Sequence, residues 1–341
     1  DSHLTFIGPV EIRGGSGSSA AAGSPPLVAS GLGLNPGQKI FVEFPVMVNV
    51  NTLPGTVIDN SAYVTSYDWP VPISSATSLT VSEPGARRIY VDAAATAGAN
   101  DGSSWEDAYT SLQDALLDGG NGSEIWVAAG VYYPDVGTGQ TADDPDTTFH
   151  LRSGVAVFGG FAGSESSLNE RDPVANVTVL SGDIDGNDTA ECSSGSDAEH
   201  IKGTNSAHVV TGSGMPASTI LDGFTIRGGD AGSTATVQKG GGMLNQQGSP
   251  TLANLIFCGN RADGSGGGMH NSQGSSPRLD NVTFQENEAL DGGGMSNDAA
   301  SPVLNGVVFN GNRAYYGGGI FNSNSAINID EAIFDANVAV W

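Results

Sequence analysis

Lysine is almost missing from this chain: among 341 residues there are three, Lys39, Lys202 and Lys239. Arginine raises the basic total only to 12, against 37 acidic residues, so the formal net charge is −25. A surface of that sign repels nucleic acid and anionic lipid, which makes both poor partners. It draws cations, calcium above all, toward carboxylates and carbonyls, although an acidic surface most often serves solvation. No run of about 18 apolar residues occurs, so no helical segment is expected to span a bilayer. Cysteine is limited to Cys192 and Cys258, too few for a disulfide framework or a cysteine metal site. The pair forms one bridge in an oxidising compartment or none. Histidine is scarce too: His3, His150, His200, His208 and His270 share no ligand spacing. A lone histidine in such a setting is more often a surface residue than a catalytic one.

What is abundant is glycine, at 50 residues, far too many for a helical protein. With serine, asparagine and aspartate it points to an all-β chain with many tight turns. The length allows two domains. The chain opens at Asp1 without a leader segment, as a processed secreted protein would, and as a fragment would.

Residues 1–85 read as short strands broken by Gly, Ser and Pro. Leu4–Ile7, Val10–Ile12, Lys39–Asn49, Val57–Tyr67 and Ser78–Val81 carry β patterns, which suggests a β-sandwich. Within them, Leu34–Ser66 has a Pro-Gly turn, a strand, then Gly55, Thr56, Asn60 and Ala62 in a Gly-Thr-x-x-x-Asn-x-Ala pattern. That stretch resembles the second half of an immunoglobulin-like repeat common in bacterial surface proteins. The first half of such a domain is not recognisable, so the sandwich is expected to be incomplete. Ser82–Arg88 breaks the pattern and marks a domain boundary.

From Arg88 the grammar changes. Ile89–Asp92 is a strand, and Ser103 with Glu106 has the spacing of a capping box. Trp105, Ala108, Tyr109, Leu112, Ala115 and Leu116 then form one apolar helical stripe, closed by Gly119 and Gly120. Such a helix suits a lid over the end of a repetitive β core. The run from Ile89 to Asp135, continued by Phe149–Asp188, resembles the opening of secreted bacterial right-handed parallel β-helix proteins. That resemblance implies a fold and no activity.

The strongest signal is periodic. Gly240-Gly241-Gly242-Met243-Leu244-Asn245 returns at Gly266, Gly292 and Gly317, ending in Asn271, Asn297 and Asn322. A second motif follows each time, with Phe257, Phe284, Phe309 and Phe334, then Asn260, Asn287, Asn312 and Asn337 three residues on. Ala262, Ala289, Ala314 and Ala339 come two later. Each repeat has room for three short strands and three turns. Alternating apolar residues face inward, glycine allows positive φ or close backbone approach, and the asparagines are placed for a polar ladder. The reading is a right-handed parallel β-helix over 89–341, regular from about 240, with roughly ten coils at ~4.8 Å each. The paired motifs also resemble the Gly-Gly-small-apolar and Phe-x-x-Asn repeats of chlamydial polymorphic membrane proteins, which are adhesins. That resemblance implies the fold and a surface role, without the membrane barrel of that family.

Chemistry is harder to find. The acids of the regular repeats, Asp263, Asp280, Glu286, Glu288, Asp291 and Asp298, do not recur in register. Arg261 and Arg313 occupy equivalent positions, which suggests solvent-facing residues rather than a unique base. The best candidate is the loop Asp183, Asp185, Asn187, Asp188, whose alternation is that of calcium loops without the distal glutamate. It stands evenly against a plain Asp-rich turn, and any ion there would be structural. Asp143, Asp144 and Asp146 make a weaker group. Asn121, Asn176, Asn187 and Asn281 head glycosylation sequons.

The expected function is therefore a non-catalytic structural or adhesive protein of the cell surface or exterior, without a cofactor unless calcium binds. Its partners are copies of itself, neighbouring surface proteins or glycans. The alternative is a carbohydrate-active β-helix with a cleft between loops 134–146 and 183–202. Trp341 falls where the next glycine triplet is due, so an open coil is expected there, a template for end-to-end association.

Overall fold

The computed structural model describes residues 86–189, 192, 201–232 and 235–340. Before residue 81 it describes the backbone of six strands, 4–6, 11–14, 40–43, 46–48, 57–64 and 73–80. The chain divides into two compact units, Asp1–Glu83 and Pro84–Trp341.

The first unit contains three antiparallel pairs among its described residues. Leu4–Phe6 pairs with Val46–Val48, and Glu11–Gly14 with Ile40–Glu43. Val57–Val64 pairs with Ile73–Thr80 over eight residues. That last strand starts five residues before the expected Ser78, because its partner's whole length needs ladder bonds. Gly55 and Thr56, half of the immunoglobulin-like motif, lie outside the described residues, as do Tyr67 and Val81.

Among the described residues the regular elements of the second unit are nearly all strands, paired in parallel throughout three sheets, with one short α-helix. Each pass of the chain adds a strand to the sheet edge left by the previous pass. Residue types in register explain why. Ile89, Ile125, Val157, Leu221, Leu252, Leu279, Leu304 and Ile329 form one unbroken aliphatic column through the largest sheet. Tyr132, Leu180, Ile226, Phe257, Phe284, Phe309 and Phe334 form a second. Phe149, Val210, Met243, Met269, Met295 and Ile320 form a third. Ala231, Ala262, Ala289, Ala314 and Ala339 form the fourth and narrowest. Most of these side chains are fully buried; removing each from water is worth about 1.5–3 kcal/mol for the larger ones.

The main column has eight members, not the roughly ten passes expected from length. The early passes are long: Val157 and Leu221, neighbours in that column, are 64 residues apart in the chain, against 27 and 25 for Leu252 to Leu279 to Leu304. Insertions leave fewer residues for stacking.

Glycine serves two purposes in each triplet. The first, at Gly240, Gly266, Gly292 and Gly317, has φ between +63° and +72°, the left-handed region where a Cβ is strained. The third packs backbone on backbone: a Cβ on Gly268 would lie 2.6 Å from the Gly294 carbonyl oxygen, and one on Gly294 2.6 Å from that of Gly319.

The helix is shorter than its apolar stripe predicts. It runs Leu112–Asp118, with Ser111 as N-cap accepting from the Gln113 N–H. Ser103 and Glu106 form no capping box. Tyr109 instead exchanges backbone bonds with Tyr90 and Asp92 as a bridge beside Val91, and Trp105 turns away to pack on Tyr90 and Phe161. Strand pairing thus overrides the helical period in 103–111. The remaining helix buries Leu112, Ala115 and Leu116 in the same core as Ile89, Ile125 and Phe149.

A smaller apolar cluster lies apart from that core, where Trp126, Phe158 and Phe161 are joined by Tyr90 and Trp105. Trp126 stacks on Phe161 at 4.6 Å, with the Arg88 guanidinium 3.8 Å from the Trp126 ring centre. Among the described residues no helix is long and apolar enough to cross a membrane.

Candidate functional site

The asparagines of the second motif form a buried ladder. Asn260 Nδ2 donates to Asn287 Oδ1 at 3.0 Å, Asn287 to Asn312 at 2.9 Å and Asn312 to Asn337 at 2.8 Å. Each Nδ2 also reaches a strand carbonyl, of Ile226, Phe257, Phe284 and Phe309 in turn. The backbone N–H of Asn260, Asn287 and Asn312 donates to the next Oδ1, and Gly229 N–H closes one end on Asn260 Oδ1. Each interior carboxamide is therefore saturated, as burial requires. Beside this ladder the Phe257, Phe284, Phe309 and Phe334 rings stack 4.9–5.0 Å apart and within about 6° of parallel.

A second ladder runs through Asn245, Asn271, Asn297 and Asn322, with links of 2.9, 2.9 and 2.8 Å. The glycine-triplet motif carries the signal, since these asparagines stand at its last position. A third, on the outside, links Asp222 to Asn254 and Asn254 to Asn281 at 2.8 Å each. Asn254 and Asn281 sit at φ +49° and +53°, at the bend of the largest sheet, where an asparagine tolerates the left-handed region better than most residues.

Cys192 and Cys258 are bonded to one another across 66 residues. Cys258 is fully buried at the end of its strand, and the Cys192 carbonyl accepts from Gln285 Nε2 at 3.1 Å. The bridge thus ties the segment after Asp188 to two successive passes. Residues 193–200 lie outside the described residues.

The Asp183–Asp188 loop holds itself together. Asp183 accepts from the N–H groups of Asn187 and Asp188. Asp185 accepts from Asn187 Nδ2 and Thr204 N–H, and Asp188 from Lys202 N–H and Asn205 Nδ2. Among the described residues no group of three or more His, Cys, Asp or Glu side chains is placed to hold a metal ion. In the other loop, Asp135 caps the Asp143 N–H and Asp144 the Asp146 N–H. Both sets of carboxylates act as turn acceptors.

Arg261 is partly solvent-facing, as its repeat position suggests, and is engaged in ion pairs as well. It pairs with Asp263 and lies 3.5 Å from Asp230 Oδ1, an ion-pair distance without a hydrogen bond. Burial pushes the Asp230 carboxyl above the usual range; Arg261 opposes that, while Asp263 and Asp188 add to it. The period conceals this cluster because Asp230 precedes the first regular repeat. Arg171 makes a second, more enclosed pair with Asp222 at 2.7 Å.

His270 is 2% exposed and its Nδ1 has no hydrogen-bond partner. It occupies the row of Leu244 and Ser296. No family model, curated protein or solved structure matches the chain.

Proposed function

We propose that the second unit is a right-handed parallel β-helix and that the protein is a non-catalytic structural or adhesive component of the cell exterior. The first unit reads with it as an immunoglobulin-like sandwich, in keeping with the resemblances to bacterial surface repeats and polymorphic membrane protein repeats. One observation carries the reading: the residues that recur in the regular passes are engaged inward, in packed columns or hydrogen-bonded ladders. Such repetition builds a rod, whereas a catalytic site needs unique residues brought to one place. The Cys192–Cys258 bond supports an oxidising compartment, and the charge of −25 suits an exposed, solvated surface.

Association with further coils is part of the proposal. The last described pass exposes Phe334 at 52%, in register with the buried Phe309. A further coil, of the same chain or of a neighbouring copy, would cover it. Sedimentation velocity on the full chain across a hundredfold concentration range should show growth in size; a constant monomer overturns self-association.

The alternative, a carbohydrate-active β-helix, draws on one observation, the raised Asp230 carboxyl beside Arg261 and Asp263. A carboxyl shifted toward its protonated form is the kind of group a glycosidase uses as general acid. Incubation of the full chain with a polysaccharide panel decides the matter. No release of reducing or unsaturated ends supports the structural reading. Hydrolysis abolished by Asp230→Asn replaces it.

A further inference from the structure

An asparagine followed by glycine is the step at which a side chain most readily turns on its own backbone, because glycine has no Cβ to shield its nitrogen. The chain has three such steps, Asn121-Gly122, Asn305-Gly306 and Asn310-Gly311, and the fold treats them differently. Gly122 N–H donates to Gly154 O at 2.8 Å, and Gly311 N–H to Asp335 O at 3.0 Å. Gly306 N–H has no hydrogen-bond partner among the described residues.

Gly306 stands at the bend of the largest sheet, between the strands Val303–Asn305 and Val307–Asn310. Gly223, Asn254 and Asn281 hold the same position in earlier passes. Gly223 N–H closes onto Ala253 O at 3.1 Å. Around Gly306 the ladder bonds pass on either side instead: Val307 N–H donates to Glu331 O, and Asp330 N–H to Leu304 O. Asn305 and Gly306 are both half-buried, so water reaches them. The Asn305 carboxamide has one restraint, the donation of Nδ2 to Asp280 Oδ1 at 3.0 Å. That carboxylate is shared, because Arg278 Nη2 donates to the same oxygen at 2.6 Å and Arg278 Nε to the other at 2.7 Å.

We propose that Asn305-Gly306 is a self-modification site, at which the folded chain converts Asn305 to aspartate and isoaspartate ahead of the other two Asn-Gly steps. The Gly306 nitrogen bonds to Asn305 Cγ, its proton passes through solvent to the departing nitrogen, the Cγ–Nδ2 bond breaks and ammonia leaves. Water then opens the cyclic imide at either carbonyl. One opening restores an ordinary backbone with a carboxylate side chain, and the other leaves a backbone lengthened by one methylene. Gly122 and Gly311 must first open a hydrogen bond, which holds back their reactive population about fivefold. Both products bear on the stack. Either one sets a carboxylate against Asp280 where a donor stood, and like charges on neighbouring strands repel. The lengthened backbone falls between Leu304, in register with Ile329, and Val307, in register with Ala332. It therefore puts the two halves of one pass out of step with the next. The site is independent of whether the protein is adhesive or enzymatic.

The test is ageing of the full chain, folded and in urea, at mildly alkaline pH in heavy-oxygen water, followed by peptide mass spectrometry. The heavy oxygen marks acid formed during the incubation. In urea the three steps are expected to convert at similar rates. In the folded chain Asn305 is expected to lead Asn121 and Asn310 by at least about fivefold, and an isoaspartyl methyltransferase should label the Asn305 peptide first. A smaller lead, or none, overturns the proposal. The variant Asn305→Gln, whose longer side chain closes the imide far more slowly, is expected to keep the melting temperature and to gain no acid at this position. Acid formed there at the wild-type rate overturns the proposal as well. Aged wild-type protein is expected to melt below fresh protein in proportion to conversion at Asn305; an unchanged melt at full conversion overturns the effect on the stack.

Discussion

Phe284 lies between Phe257 and Phe309 as the middle of a stack, with ring centres 4.9 Å and 5.0 Å away and planes within 6° and 5°. Phe334, one pass beyond Phe309, has the same stacking geometry on one side and 52% exposure. The pair Phe284 and Phe334 therefore separates burial from stacking. Phe284→Ala is expected to cost about 3–5 kcal/mol, as a large-to-small change in a closed core does. Phe334→Ala is expected to cost about 1 kcal/mol, the scale of one aromatic contact. Urea unfolding followed by circular dichroism checks the ratio; equal losses would mean that Phe334 is covered in solution.

Asn287 and Asn322 offer the same contrast for the ladders. Asn287→Ala removes the acceptor of the Asn260 N–H and Nδ2 and the donor to Phe257 O. Each buried group so stranded costs about 1–3 kcal/mol. Asn322 is exposed and accepts only from Asn297, and water substitutes for it at a cost of about 1 kcal/mol or less. Thermal melts of the two variants should therefore be well separated.

Reduction of the Cys192–Cys258 bond, or Cys192→Ser, is expected to lower stability by about 2–4 kcal/mol, because the bond closes a long loop in the unfolded chain. A reduced protein with an unchanged melt would show that the bond adds nothing to the fold.

Acid should weaken the folded state over a defined interval. The unfolded chain protonates His270 near 6.5 and the folded chain near about 4. Stability is therefore full above 6.5, falls as the pH drops from 6.5 to about 4, and levels off below. The size of the effect is at most about 3 kcal/mol from this residue. Urea midpoints at pH 7, 5.5 and 4.5 check the sign, and His270→Leu should flatten the profile by that share.

The Asp183–Asp188 loop is expected to act as a set of turn caps. Millimolar calcium should then shift the melting temperature no more than the same ionic strength of sodium chloride. Asp183→Ala, which frees the Asn187 and Asp188 N–H groups, should cost about 1 kcal/mol. A calcium-specific rise that is lost in Asp183→Ala would restore the loop as an ion site.

Much of the second unit was readable from spacing. Once Phe257, Phe284, Phe309 and Phe334 are aligned, the partners Leu252, Leu279 and Leu304 and the ladder Asn260 to Asn337 follow, because parallel stacking puts like on like. The columns upstream were not readable. Tyr132, Leu180 and Ile226 precede Phe257 in the same column, yet they differ in size and are separated by insertions of unequal length, so no period connects them. The helix was misplaced at its start for a local reason: Tyr109 satisfies its backbone on Tyr90 and Asp92, a long-range pairing that side-chain periodicity does not encode. Arg261 shows the converse limit. Its equivalence to Arg313 marked it as a surface position, and only the three-dimensional placement of Asp230 beside it adds an ionic partner beyond Asp263, two residues along the chain.

The columns bear on how such a molecule changes over generations. From Met269 to Met295 every column advances by one like residue: Leu279 by Leu304, Phe284 by Phe309, Asn287 by Asn312 and Ala289 by Ala314. Excision of one such unit at the gene level would bring chemically matched neighbours together, and duplication would insert a unit whose upper and lower faces already fit. The length of the molecule is thus a quantity that recombination can alter in whole steps of about 4.8 Å, without a new core having to be selected each time.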